Sequence, residues 1–131
     1  MSSVPYLYSV LRLVPDIERA EAINVGLVVF CRPQRFLQLR WEIDAKRIAA
    51  FALPVPLDLV RSQLESHTLI AAADAAGGPV AALDIGERFH WLTNISNTMI
   101  QPGPVHPGLT EDVTLTFERL YDRLVAPNRV E

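Results

Sequence analysis

The chain is poor in the residues that most often announce a chemistry. It has one cysteine, Cys31, which excludes an intrachain disulfide. That thiol ends the apolar run Val25 to Phe30 with no base beside it, so it reads as a structural residue in a reducing compartment rather than a nucleophile. The three histidines, His67, His90 and His106, lie far apart and in no HxH, HxxxH or HExxH pattern, so no metal site is expected. The six glycines form neither GxGxxG nor a Walker phosphate loop, and no cofactor is expected. Apolar runs all fall short of the ~20 residues that cross a bilayer. Met1 to Pro5 lacks the positive region and small-residue cleavage site of a secretory signal, so a cytoplasmic protein away from membranes is expected.

Lysine is also nearly absent. Lys46 is the only one, and every other basic residue is an arginine. Twelve basic against fifteen acidic residues give a net charge of −3. A chain with that balance lacks the cationic excess that binds a phosphate backbone, so nucleic acid is not an expected partner. The arginine preference suits fork-shaped recognition of carboxylate or phosphate, and a GC-rich genome produces it equally well. What is present in quantity is apolar: 50% of residues are hydrophobic and 21% charged, which is the composition of a folded chain. At 131 residues the length suits one domain, 1–131.

The pattern predicts an α+β fold, in which an antiparallel sheet begins with an N-terminal three-stranded meander and is packed by about three to four helices. Tyr6 to Val14 and Asn24 to Cys31 read as strands, joined through the polar excursion Ile17 to Ala22, which has room for one helical turn. Phe36 to Ile43 alternates Phe36, Leu37, Leu39, Trp41 and Ile43 with Gln38, Arg40 and Glu42, as a half-solvated strand does. The four-residue link Arg32-Pro33-Gln34-Arg35 makes it the antiparallel neighbour of the second strand. Asp44 N-caps a short helix to about Phe51, and a longer one runs from Leu57 to about Ala73 with Leu59, Val60, Leu64 and Leu69 on its inner face. Ala71 to Gly78 is locally low in complexity, Gly77-Gly78-Pro79 reads as a flexible loop or hinge, and Val80 to Asn94 as a helix. Thr98 to Gln101 is a short strand. The proline-rich segment Pro102 to Gly108 is expected to be an ordered loop or lid. Thr110 to Val125 is the clearest helix, capped at Thr110, with Val113, Phe117, Leu120 and Leu124 in one stripe.

Three places could carry function. Glu18, Arg19, Glu21 and Asn24 form a polar turn before an apolar strand, which is either a surface site or a solvated hairpin loop. Pro104, His106 and Gly108 lie in the stiff loop leading to the last helix. Such a loop can present backbone N–H groups to an anion or a partner, or simply stiffen a crossover. Glu87, Arg88 and His90 beside Trp91 either face a cleft or form a helix edge with an Arg–Glu contact. Across the chain, Arg12, Arg40, Arg88 and His106 could gather as a ligand-binding cleft; no catalytic residue can be assigned.

The strings YSVLRLVPDIERAEAINVGLVVFC (Tyr8 to Cys31), ERFHWL (Glu87 to Leu92) and PVHPGL (Pro104 to Leu109), followed by Glu111-Asp112, resemble the bacterial family catalogued as domain of unknown function 3037. The resemblance spans nearly the whole chain. It implies a small protein of no established activity, associated with neighbours similar to kinases of the HipA toxin type, and hence a partner-binding or regulatory role. The family pattern has a basic residue shortly before its Ile-Gln step. Here Ser96-Asn97-Thr98 stand before Met99-Ile100-Gln101, so any anion contact made by that residue is lost.

Two classes of function stay open on the sequence. One is a protein-interaction or regulatory module acting on a protein partner or on itself as a homodimer. The other is a small enzyme or anionic-ligand binder using the Arg12, Arg40, Arg88 and His106 cleft. The lack of a catalytic set favours the first.

Overall fold

The computed structural model describes residues 2–94 and 99–126. Its strands are β1 (Val4–Leu13), β2 (Ile23–Cys31), β3 (Phe36–Trp41), β4 (Ile100–Pro102) and β5 (His106–Thr110). Its helices are α1 (Ala45–Ala49), α2 (Leu57–Ala71), α3 (Ile85–Thr93) and α4 (Val113–Leu124). The five strands form one antiparallel sheet that starts with the β1–β2–β3 meander. β4 and β5 share the outer edge of β1, β5 along Val4 to Tyr8 and β4 along Leu11 to Leu13. The fold is α+β, as the pattern predicts.

β2 is central and covered on both faces, which is why it reads as an unbroken apolar run rather than an alternation. Leu27, Val29 and Cys31 pack with Tyr6 under Val113, Phe117, Leu120 and Tyr121 of α4. Val28 and Phe30 join Leu11 and Leu13 on the other face, under Val60, Leu64 and Ile70 of α2 and Phe89 and Leu92 of α3. A register shift opposite Leu11/Arg12 puts an extra residue into β2, and Gly26 sits at this bulge with the Arg40 carbonyl only 3.2 Å from where a Cβ would stand.

Several sequence expectations are corrected. The proline-rich segment Pro102 to Gly108 is not wholly loop, because β4 includes Pro102 and β5 begins at His106. The ladder tolerates these residues by its register. Pro5 faces Leu109 and Leu7 faces Pro107, so the inward hydrogen bonds fall on the alternate pairs and neither proline lacks a donor that β1 and β5 need from each other. Gly108 lies beneath the buried Tyr6 ring, which would overlap a Cβ at that position.

The last helix is capped by Asp112, whose side chain accepts from the N–H groups of Thr114 (3.0 Å) and Leu115 (3.4 Å). Thr110, expected as the cap, ends β5, and its hydroxyl is 2.6 Å from that of Thr116. The helix expected from Val80 starts only at Ile85, because Pro79–Ala82 is a 3-10 turn that Leu83 leaves in extended conformation. In the low-complexity run, α2 ends at Ala71, and Ala75–Gly77 forms another 3-10 turn capped by Asp74. Leu59, expected in the core, is 50% exposed, and the inner stripe of α2 is Val60, Leu64, His67 and Ile70. The polar excursion Ile17 to Ala22 holds the single helical turn for which it has room, closed by the Ala20 N–H on the Asp16 carbonyl at 3.1 Å, and no longer helix. Thr98 and the Ser96-Asn97-Thr98 departure lie outside the described residues. Among the described residues no helix is long and apolar enough to cross a membrane.

Candidate functional site

A broad hollow in the surface lies between the β2–β3 turn and α3. The turn is tightly held. Arg35 donates its N–H to the Arg32 carbonyl at 3.1 Å. Gln34 donates from Nε2 to the Glu111 carbonyl and accepts from the Val113 N–H, both at 2.9 Å, which ties the turn to the start of α4. Arg32 and Arg35 are thus exposed side chains carried on a fixed base.

On the other bank, α3 begins at Asp84, whose carboxylate accepts from the Gly86 N–H at 3.2 Å. Burial of Phe89 and Leu92 turns Glu87, His90, Trp91 and Asn94 outward. With Leu83 and Arg32 they line a groove of about 780 Å³. The Arg32 guanidinium sits 5.2 Å from the Phe30 ring centroid. It also approaches Gly86 so closely that a Cβ there would overlap Nη2. Beyond Arg32 lies a second hollow of about 620 Å³, reached by Arg35 and Arg88 and sharing Arg32, Leu83 and Asp84 with the first.

The residues expected to form one cleft are dispersed. Arg40 shares the α4 face of the sheet with Arg12 and His106, but it is engaged there. It makes a two-point ion pair with Glu118 (2.9 and 2.7 Å) and lies over the Phe117 and Tyr121 rings. Hydrogen bonding to Arg40 holds the Glu118 carboxyl below its ordinary range. Arg12 pairs in register with Asn24 and Gln101, and its Nε is buried without a hydrogen-bond partner. His106 is exposed on β5 against the Tyr8 ring, with centroids 5.2 Å apart.

Arg88 belongs to α3, on the opposite face of the sheet. It is 8% exposed and makes no Arg–Glu contact. Its Nε donates to the Leu83 carbonyl (3.0 Å), and its Nη1 to the carbonyls of Ile70 (3.2 Å) and Ala71 (2.7 Å). It therefore caps the C-terminal end of α2.

The polar turn is an exposed Arg19–Glu21 pair (2.6 Å) beside Glu18, while Asn24 donates to the Leu124 carbonyl at 2.9 Å and fixes the end of α4. Pro104 and Gly108 lie along the β4–β5 edge, away from that turn. Of the sequence candidates, then, Glu87 and His90 line the groove. Arg32 was missed, and its only signal was two arginines in a four-residue turn.

The buried titratable groups are structural. His67 stands on the buried face of α2 with its ring edge-to-face with that of Trp91, and this burial lowers its pKa. Burial and the neighbouring Glu42 raise that of Tyr121. Among the described residues no three His, Cys, Asp or Glu side chains gather as a metal site would require.

A family model described as "Protein of unknown function (DUF3037)" matches residues 8–125. No curated protein and no solved structure matches the chain.

Proposed function

Since the chain belongs to the DUF3037 family of proteins of unknown function, its role has to be read from its own surface, and we propose that it is a protein-interaction module of regulatory type that captures a segment of a partner protein along α3. One observation carries this reading: the 780 Å³ groove joins the half-open apolar walls of Leu83 (40% exposed) and Trp91 (37% exposed) to the Arg32 cation. Neither Arg32 nor Arg35 takes part in an ion pair among the described residues. An apolar floor with a few convergent polar groups is the usual make-up of a binding site, and an aromatic with an arginine is its usual anchor pair. A kinase similar to the HipA type is the first partner to try.

The test is selection of short peptides from a random display library on the intact chain, followed by NMR mapping. Selected peptides should shift the resonances of Arg32, Glu87 and Trp91, and Trp91→Ala should weaken them about tenfold or more, as loss of a buried aromatic anchor does. Peptides that map to the β5 edge, or that bind Trp91→Ala unchanged, would refute the proposal.

A further inference from the structure

The two hollows meet at Arg32, and this gives the occupant a chemistry. Resting on the groove reading above, we propose that the captured segment is acidic: a Glu or Asp side chain pairs with Arg32 where the segment crosses from one hollow to the other, and an apolar side chain next to it lies against Leu83 and Trp91.

The guanidinium lies over the Phe30 ring and close to Gly86. A planar fork in that position, with no ion-pair partner among the described residues, matches a carboxylate at two points. Asp84 does not fill that role, since its carboxylate is turned to the Gly86 N–H. The continuation past Arg32 points to a side-chain carboxylate within a running segment rather than a chain end, because both hollows share Arg32, Leu83 and Asp84.

Two departures from local preference support the assignment. Gly86 stands in the first turn of a helix, where alanine is the better residue. Arg35 has φ +49°, a left-handed conformation that favours glycine or asparagine. The first admits Arg32 to its position, and the second keeps another cation beside it.

The experiment compares four short probes by NMR titration of the intact chain, following the Trp91 indole N–H assigned with Trp91→Phe. They are acetyl-Gly-Glu-Ser-Leu-Gly-amide, its Gln counterpart, its Ala-for-Leu counterpart, and acetyl-Gly-Gln-Ser-Leu with a free carboxylate end. The Glu probe should bind about tenfold more tightly than the Gln and Ala-for-Leu probes, the size expected for one charge-assisted fork or one apolar anchor. Arg32→Gln and Gly86→Ala should each erase the Glu-over-Gln preference, and 0.5 M salt should reduce it. Equal binding of the Glu and Gln probes, with Trp91 shifted by both, overturns the acidic assignment and leaves the groove reading standing. Equal binding of the Glu and Ala-for-Leu probes overturns the apolar anchor. Preference for the free-ended probe overturns the side-chain source. No shift of Trp91 by any probe overturns both readings.

Discussion

Replacing Arg88 by methionine tests how much of the fold hangs on a single buried cation. The chain of methionine fills much of the same space but donates nothing. The Ile70 carbonyl keeps the Ala73 N–H at 3.1 Å, so that carbonyl stays paired. The carbonyls of Ala71 and Leu83 lose Arg88 as donor, and neither has another among the hydrogen bonds of the described loops and side chains. Orphaning a buried acceptor costs about 1–3 kcal/mol; the Ala71 carbonyl is buried and the Leu83 carbonyl only partly so, so together they give about 2–4 kcal/mol, with about 3 as the working value. Against a total stability on the order of 5–15 kcal/mol this is severe.

The assay is urea unfolding followed by circular dichroism at pH 7, in which Arg88→Met should lower the midpoint with the m-value unchanged. For a chain of this length each kcal/mol moves Tm by about 3–4 °C, so the variant should melt about 9–12 °C lower. Arg88→Lys should recover only part of the loss, since one ammonium cannot reach both the Leu83 and the Ala71 carbonyls as Nε and Nη1 do. A loss below about 1 kcal/mol for Arg88→Met would show that water or relaxation satisfies the α2 end, and the capping argument would fail.

Three further outcomes are expected. Gly108→Ala should cost about 1–3 kcal/mol in the same unfolding assay, because its Cβ meets the buried Tyr6 ring, which cannot swing aside. Pro107→Val should restore an outward backbone donor to the β5 edge and give a concentration-dependent, earlier-eluting species on size exclusion; an unchanged profile would show that Pro107 does not guard that edge. His67 has its pKa lowered by burial, so the folded state resists the proton that the unfolded state accepts. Stability is then full above the ordinary histidine range and falls as pH drops through about 6.5, by at most about 1.4 kcal/mol per pH unit, and His67→Gln should remove that slope between pH 7 and 5.

The sheet and the main helices were legible because their signals are local. Alternation in Phe36 to Ile43, the unbroken run of β2, and the four-residue link between them determine a meander without reference to anything distant. β5 was illegible for the opposite reason. Pro107 and Gly108 are strand breakers taken alone, and only the register against Leu7 and Tyr6 makes them acceptable. Thr110 misled as a cap because a threonine, a glutamate and an aspartate in succession satisfy the capping pattern at either end, and the sheet claims Thr110 first. Arg88 reads as an ordinary helix-surface arginine until its acceptors, 17 and 18 residues away, are known.

The groove was the least legible feature, and its two local anomalies become informative only together. Alanine at position 86 would favour α3 by about 0.5–1 kcal/mol, and the atom it would displace is the far end of the flexible Arg32 side chain, which can move at little cost. The fold therefore has no need of glycine there. Gly86→Ala should leave stability unchanged or raise it, while removing the preference for an acidic probe, whereas a glycine required only by packing would give a less stable chain. Arg35→Gly should behave in the same way, stabilising the turn by relieving a left-handed non-glycine residue and weakening the acidic probe through loss of the neighbouring charge. If either variant loses stability and binding together, the anomaly belongs to the scaffold; if the two properties move in opposite directions, the local strain is there to hold the cations at the groove.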